Sequence, residues 1–179
     1  MKRSIICRDI VELPSDALIY STNVRLMLTG GVGAAILKKF GIRVQIELQD
    51  QSLGSGRQMA DVGEVLETRI PGSPWKRVFH TIATDEMYRT DPQVVRAILL
   101  RCLRRCAESA DLRAITCSAL GAGYGDLELT AFVAIADEVC SEFEDSGIQS
   151  FAVVSRDPDE FGKLLAVAAT FPKWRTNEG

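Results

Sequence analysis

Two clusters of glycine residues are the part of the sequence best suited to binding chemistry. The first, Gly30-Gly31-Val32-Gly33, runs directly into an apolar segment with helical spacing. The second, Gly121 to Gly125, lies between a β-branched run that predicts a buried strand and another apolar helical segment. Glycine lets a ligand approach the backbone closely, and the first turn of a helix presents unpaired N–H groups. Each cluster therefore favours an anionic ligand, most often a phosphate group.

The second cluster does not match the common nucleotide-binding sequences. Its spacing is Gly-x-Gly-x-Gly, whereas the dinucleotide fingerprint is Gly-x-Gly-x-x-Gly. It is also not followed by the Lys-Ser/Thr pair of a P-loop. Taken alone, it fits a tight strand-to-helix turn without a ligand equally well.

Composition indicates one ordinary globular domain, predicted over residues 1–170 with a C-terminal tail at 171–179. The chain has 179 residues, 46% of them hydrophobic, and a net charge of −3, which argues against an extended nucleic-acid-binding face. No stretch suits a signal peptide or a membrane span, so we expect a cytoplasmic protein without membrane contact. The five cysteines lie in apolar patterns and predict buried thiols rather than disulfides. We expect no metal and no cofactor, since the chain has one histidine.

Predicted strands and helices alternate along the chain, which indicates an α/β fold with a mainly parallel sheet covered by helices on both faces. In such folds ligands bind beyond the carboxyl ends of the strands. Both glycine clusters, and Asp9 after the first predicted strand, occupy that position. His80 lies within a predicted strand, which favours a packed core histidine over a catalytic base.

Several short segments, in this order and spacing, resemble the macro domain family. They are Asp9-Ile10, Asn23, Gly30-Gly31-Val32, Gly63-Glu64-Val65, Val78-Phe79-His80-Thr81 and Ser118 to Gly125. The resemblance covers about residues 7 to 165 and extends to the Leu-Gly-x-Gly-Tyr-Gly form of the second loop seen in some bacterial members. It implies a three-layer α/β/α sandwich with a mixed, mostly parallel sheet. It also implies a surface cleft that binds ADP-ribose or an ADP-ribosylated macromolecule.

The resemblance assigns roles to individual positions. Asp9 and the backbone of Ile10 would bind adenine, Asn23 would contact the distal ribose, and the two glycine loops would hold the diphosphate, with Tyr124 packing on the sugar. The full set of predicted ligand-binding residues is Asp9, Ile10, Asn23, Gly30, Gly31, Val32, Gly33, Ser118, Leu120, Gly121, Ala122, Gly123, Tyr124, Gly125, Ser155 and Arg156. Two loops of backbone N–H groups can hold a diphosphate without a lysine.

The chain also departs from the family pattern. The family's Asn-Ala-Ala-Asn is Tyr20-Ser21-Thr22-Asn23 here, and Gly33 stands where the hydrolytic branch has an aspartate. The first loop lacks the lysine of a lysine-dependent branch. Ser155 replaces the usual aromatic residue over adenine, where the neighbouring Arg156 could stack instead.

Three functions follow from these residues. The first is a non-catalytic ADP-ribose-binding module, which the missing general base favours. The second is an ADP-ribosyl hydrolase with an atypical site, in which Asn23 would position the substrate and count as the catalytic residue. The third is an RNA-binding or other nucleotide-binding domain, which the acidic balance disfavours.

Overall fold

The computed structural model describes residues 1–53 and 56–176, which form an α/β fold. The strands are β1 (Lys2–Cys7), β2 (Ala17–Ser21), β3 (Val65–Thr68), β4 (Arg77–Thr81), β5 (Ala114–Cys117), β6 (Ser150–Ser155) and β7 (Trp174–Thr176). The α-helices are α1 (Gly31–Phe40), α2 (Arg43–Leu53), α3 (Pro92–Ala107), α4 (Leu129–Glu142) and α5 (Pro158–Ala168). A short 3₁₀-helix, Ile10–Glu12, follows β1.

The described strands form one sheet in the order β3-β4-β2-β5-β6-β1-β7. Neighbouring strands are parallel except β3 and β4, which pair antiparallel. The predicted mixed, mostly parallel sheet is therefore confirmed. Because the strands from β4 to β1 run in one direction, their carboxyl ends meet at a single edge of the sheet.

Apolar side chains cover both faces of the sheet, which gives three layers. On one face, Ile98 of α3, Phe132 of α4 and Leu164 of α5 are fully buried in one core cluster. On the other face, Ile36 of α1 and Leu48 of α2 belong to a second cluster. The two clusters hold the sheet between helical layers, as the alternating pattern predicts.

Two helices begin as their sequences predict. Asp91 accepts a hydrogen bond from the backbone N–H of Gln93 at the start of α3, and Pro92 occupies the first turn. Asp157 caps α5 in the same way. These caps satisfy backbone donors that a helix leaves unpaired.

The basic face of α3 is partly neutralised by its neighbour α4. Arg96 forms ion pairs of 2.9 Å with Glu138 and 2.8 Å with Glu142. Such pairing is typical of a solvated helix face rather than of a nucleic-acid contact. In the described ranges, no helix has the length and apolarity required to cross a bilayer.

The C-terminal segment contains a strand where the sequence predicted a tail. Trp174 begins β7, pairs beside Arg3 of β1, and is only 7% exposed. Its indole packs edge-on against Phe151, and its Nε1 donates a 2.9 Å hydrogen bond to Asp137. Burial of the indole against β6 and α4 holds this segment on the sheet, so the predicted boundary at residue 170 is wrong for residues 174–176. Residues 177–179 of the predicted tail lie outside the described ranges.

The cysteines are reduced, and four of them are buried. Burial raises the pKa of Cys106 and of Cys140 to about 12, and it raises the pKa of the Cys102 and Cys117 thiols as well. Cys7 is the exception, because it is the last residue of β1 and is exposed. The expectation of five buried thiols is therefore wrong at Cys7. Within the described ranges no cluster of three or more acidic, cysteine or histidine residues could hold a metal ion.

Candidate functional site

A cleft of about 410 Å³ lies at the carboxyl ends of the parallel strands. Its volume falls in the range of small-ligand sites, which are usually about 300–1,000 Å³. Most of its lining comes from the segments that follow β1, β2, β4, β5 and β6. These residues include Arg8, Asp9, Ile10, Ser21, Thr22, Asn23, Met27, Leu28, Thr29, Gly30, Gly31, Val32, Gly33, Thr84, Tyr88, Ser118, Gly121, Gly123, Tyr124, Gly125, Ser155, Arg156, Asp157 and Glu160.

The amino terminus of α1 forms one wall of the cleft. Gly30 is its cap residue and offers no side-chain capping bond, and the first bond in the helix joins Ala34 N–H to Gly30 C=O at 3.1 Å. The N–H groups of Gly31, Val32 and Gly33 have no hydrogen-bond partner among the described residues. Unpaired donors with the positive end of the helix dipole behind them make this wall suited to an anion.

The second glycine cluster forms the opposite wall, and its backbone requires glycine at two positions. Gly121 has a φ of 72°, which side-chain-bearing residues rarely adopt. A β-carbon on Gly125 would lie 2.2 Å from the Gly121 carbonyl oxygen and 2.5 Å from Thr90 Oγ1. Leu127 N–H closes the loop by donating to Gly121 C=O at 3.1 Å. The loop is thus a compact turn that only glycines at these positions allow.

Tyr124 connects the two walls at the mouth of the cleft. Its side chain is 71% exposed, yet its ring lies against Gly30 on the opposite wall. On its other side the ring centroid is 6.2 Å from that of Tyr88, which is 50% exposed. Two exposed aromatic rings therefore border one part of the opening.

The helix after the second loop does not face the cleft in the way its sequence position suggested. α4 begins at Leu129, and Asp126, Leu127 and Glu128 separate it from the loop. Its first residues border a second, shallower cavity together with Lys163. Of the two helices that follow the glycine clusters, only α1 therefore begins at the cleft.

Charged groups gather at the end of the cleft formed by β1 and β6. Asp9 Oδ1 accepts the backbone N–H of Val11 at 3.1 Å, and Asp9 Oδ2 lies 3.8 Å from Arg156 Nη1. The hydroxyl of Ser155 donates to the Glu160 carboxylate, and Ser155 is only 6% exposed. Of the two residues predicted over adenine, Arg156 is thus the exposed one and Ser155 is tied to α5.

Asn23 lines the cleft while its side chain holds its own loop together. Its Oδ1 accepts the backbone N–H groups of Arg25 and Met27, both at 3.1 Å, and its Nδ2 donates to Met27 C=O at 2.6 Å. The second Nδ2 proton has no partner among the described residues. Asn23 is therefore first a loop-closing residue, and any contact with a sugar adds to that role.

Tyr20 is buried behind the cleft. Its hydroxyl lies 2.5 Å from Nδ1 of His80, and Nε2 of His80 lies 2.8 Å from Oγ1 of Thr68. All three side chains are buried, and burial lowers the pKa of His80 to about 3 and raises that of Tyr20. His80 is thus a neutral core residue, and Tyr20 is not among the residues that line the cleft.

Hydroxyl groups line the other end of the cleft, and of these residues the sequence analysis predicted only Ser118. Ser21 is the last residue of β2, Thr22 follows it, Thr84 follows β4, and Ser118 follows β5. Since β4, β2 and β5 are neighbours, these residues lie side by side. The other three are small hydroxyl residues at or just after predicted strands, a pattern that is equally typical of turns.

The structure brings together all the predicted ligand-binding residues except two. Leu120 is fully buried in the core, and Ala122 faces the second cavity. Leu120 follows a buried strand and continues its apolar contacts, which explains its position. Ala122 turns away because Gly121 reverses the chain there with its positive φ.

A family model described as "Macro domain" matches residues 19–136, about two thirds of the chain, so this chain belongs to the macro domain family. It is also similar to uncharacterized proteins of Mycobacterium bovis and Mycobacterium tuberculosis, each 28% identical over 121 residues. Those alignments cover 68% of this chain and 32% of the relatives. The chain therefore spans about a third of their length.

Solved structures with the same fold include macrodomains of two organisms. The Trypanosoma brucei macrodomain in complex with ADP-ribose has a TM-score of 0.72 and 21% identity, over 89% of this chain and 66% of that one. The Oceanobacillus iheyensis macrodomain with ADP has a TM-score of 0.74 and 20% identity, over 93% of this chain and 89% of that one. These similarities establish the fold.

Proposed function

We propose that the cleft binds ADP-ribose, either free or attached to a macromolecule. The observation that supports this most directly is the pair of opposed backbone walls. The three unpaired N–H groups of Gly31, Val32 and Gly33 face the turn from Gly121 to Gly125 across a cleft open to solvent. A diphosphate suits such a site, because it is anionic, narrow and able to accept hydrogen bonds from both sides.

The charged end of the cleft suits the adenosine part of the ligand. The Asp9 carboxylate can accept the adenine amino group while it keeps its bond to Val11 N–H, since a carboxylate has several acceptor positions. The exposed guanidinium of Arg156 can lie over the base in place of an aromatic ring. The distal ribose then lies toward Asn23 and Tyr124.

The lining residues favour binding over hydrolysis. The carboxylates in the cleft are Asp9, Asp157 and Glu160, and all three follow β1 or β6. At the end that would hold the distal ribose, the described lining has hydroxyls, amide and aromatic groups but no carboxylate or imidazole. General acid–base catalysis contributes about 10²–10⁴-fold to enzymatic rates, and the described lining at this end offers neither of its commonest donors, carboxylate and imidazole.

Calorimetric titration of the protein with ADP-ribose and with AMP tests the proposal. We expect saturable binding of ADP-ribose that is tighter than binding of AMP, because AMP lacks the second phosphate and the distal ribose. A parallel incubation with a carboxylate-ester ADP-ribosylated protein should show no release of ADP-ribose. Absence of heat at millimolar ADP-ribose, with a protein that unfolds cooperatively on heating, would contradict the proposal.

A further inference from the structure

Half of the large apolar side chains that the protein exposes lie at one end of the cleft. Among the described residues eight such side chains are exposed, and four of them belong to the loops after β2, β4 and β5. These four, which we call the apolar rim, are Met27, Met87, Tyr88 and Tyr124. Met27, Tyr88 and Tyr124 line the cleft, and Met87 precedes Tyr88 in the same loop. Exposed groups of aromatic and methionine side chains are typical of interaction surfaces.

Hydrogen bonds order the loop that carries Met87 and Tyr88. Asp85 Oδ1 accepts the backbone N–H of Met87 at 2.8 Å and that of Arg89 at 2.9 Å. The N–H of Thr90 donates to Asp126 Oδ1 at 2.7 Å, which joins this loop to the second glycine loop. A loop that is already ordered loses less entropy when a partner binds, so these bonds favour binding at the rim.

Tyr88 holds its place in the rim at a cost in backbone energy. Its φ is 60°, in the left-handed region that residues with a side chain rarely adopt. Among the described residues, Leu26 is the one other non-glycine residue with a positive φ, and it precedes Met27 of the rim. Glycine would adopt either conformation without strain. A half-exposed tyrosine at such a position indicates that its ring serves the surface rather than the fold.

The charges in the rim loops favour a polypeptide partner over a nucleic acid. Arg25 is paired with Glu86 at 3.3 Å. The same loops contain two further carboxylates, of Asp85 and Asp126, and one further cation, Arg89. A phosphodiester chain requires cations along its path, and this region has a negative balance. The two methionines of the rim also offer no ring on which a base could stack.

The rim borders the end of the cleft where the proposed function places the distal ribose. A macromolecule that carries ADP-ribose is joined to it through this ribose, so the attached chain leaves the cleft past the rim. We propose that the apolar rim is a docking surface for the polypeptide on either side of an ADP-ribosylated residue, whose apolar side chains pack on Met87 and Tyr88. The inference rests on the proposed function and deepens it, because it makes ADP-ribosylated polypeptide a better ligand than free ADP-ribose.

The experiment compares free ADP-ribose with a peptide that carries ADP-ribose on one side chain and has leucine on both sides of it. A second modified peptide has glycine in place of the leucines, and an oligonucleotide that carries ADP-ribose tests the other class of partner. Each ligand is titrated calorimetrically into the wild type, Met87→Ser and Tyr88→Gly, and thermal unfolding is recorded without ligand. Met59→Ser is the matched control, because Met59 is exposed but lies outside the rim and the cleft lining.

We expect the wild type to bind the leucine peptide about ten-fold more tightly than free ADP-ribose, a gain typical of burying about one apolar side chain. The glycine peptide should lose most of this gain. Met87→Ser should reduce it to about two- to three-fold and leave the affinity for free ADP-ribose unchanged, since Met87 does not line the cleft. Met59→Ser should behave as the wild type.

Tyr88→Gly should lose the preference for the leucine peptide to a similar extent. Its unfolding midpoint should stay the same or rise, because glycine adopts the positive φ without strain. A merely structural role of Tyr88 would instead lower the midpoint and leave the preference intact.

Several results would overturn the inference. Equal wild-type affinities for the leucine peptide and free ADP-ribose would do so, while the proposed ADP-ribose site would stand. A preference that survives in both Met87→Ser and Tyr88→Gly would place the peptide contact elsewhere. Tighter binding of the oligonucleotide than of the leucine peptide would assign the rim to nucleic acid. A wild type that binds ADP-ribose in no form would instead remove the proposed function itself.

Discussion

The ring of Tyr124 covers Gly30 on the facing wall, so closely that a β-carbon on Gly30 would lie 2.9 Å from Cε2 of the tyrosine. The two loops are therefore in contact across the mouth of the cleft. Glycine is needed at position 30 because of this neighbour and not because of its backbone, since its φ of −144° is open to any residue. The position of an exposed tyrosine thus depends on the absence of a side chain on the other loop.

Gly30→Ala should change ligand binding more than it changes stability. The added methyl group displaces the end of an exposed side chain, which costs the fold little, but Tyr124 can then no longer lie over the cleft mouth. We expect weaker ADP-ribose binding by calorimetry and a nearly unchanged unfolding midpoint. Gly162→Ala is the control for affinity, because residue 162 does not line the cleft and a β-carbon there meets nothing within 4 Å. In a Tyr124→Ala background, Gly30→Ala should have almost no further effect on affinity.

Gly125→Ala should lower both stability and affinity. Its β-carbon would meet the Gly121 carbonyl at 2.2 Å, and backbone cannot yield as a side chain can. We expect a loss of about 1–3 kcal/mol in the free energy of unfolding by urea denaturation, typical of an overpacked site. If Gly125→Ala is as stable as Gly123→Ala, the tight turn described for this loop is incorrect.

Gly162→Ala should stabilise the protein. Gly162 lies inside α5, and a β-carbon there would meet nothing within 4 Å. Alanine loses less backbone entropy than glycine on helix formation, so we expect a gain of about 0.5–1 kcal/mol. Urea denaturation measures this gain. The affinity for ADP-ribose should stay unchanged, because Gly162 does not line the cleft.

Stability should fall as the pH drops below 6.5, because of His80. The ordinary pKa of histidine is 6.5, and burial lowers that of folded His80 to about 3. Between these values the unfolded chain binds a proton that the folded chain does not, so each pH unit below 6.5 costs about 1.4 kcal/mol. At pH 5 the loss should be about 2 kcal/mol relative to pH 7.

Urea denaturation at pH 7, 6 and 5 checks this dependence, and His80 is the only histidine in the sequence. His80→Gln is the comparison, since glutamine does not titrate. The free energy of unfolding of His80→Gln should change much less between pH 7 and pH 5 than that of the wild type, even if the variant is less stable at both. Parallel pH profiles for the two proteins would show that His80 does not stay neutral in the folded state.

Asp9→Ala should weaken ADP-ribose binding by about 1–3 kcal/mol, because a hydrogen bond to a charged group is lost. Asp9→Asn separates this effect from the loss of the bond to Val11 N–H, which asparagine can still accept. Asp50→Ala, at an exposed position of α2, controls for the change in net charge. Equal affinities of the wild type for ADP-ribose and for its inosine analogue would refute adenine recognition by Asp9.

Helix starts and glycine turns were predictable, because each depends on the residues within a few positions of it. Asp91-Pro92 and Asp157-Pro158 mark helix starts by their own chemistry, and the structure places α3 and α5 directly after the aspartates. The glycine walls were predictable for a similar reason, because positive φ and close approach require residues without a β-carbon. Because alternating strands and helices predict a parallel sheet, both walls were expected at the edge where the strands end.

Contacts between distant segments were not predictable from one sequence. Tyr20 and His80 are 60 positions apart, and nothing in either segment indicates that the tyrosine hydroxyl meets the imidazole. Thr90 fixes the second glycine loop by bonding to Gly121 C=O from 31 positions away. Trp174 was assigned to a tail because three strand residues are too few to give a periodic pattern.

The second glycine loop is closed at its base by the bond from Leu127 N–H to Gly121 C=O, and the buried Leu127 and the hydroxyl of Thr90 anchor that base. α4 begins only afterwards, at Leu129. The outermost residues of the loop, from Ala122 to Tyr124, can therefore be exchanged without moving β5 or shifting the start of α4. Ligand preference at this wall can diverge or be engineered independently of the scaffold, in the way that antigen-binding loops vary on a constant framework.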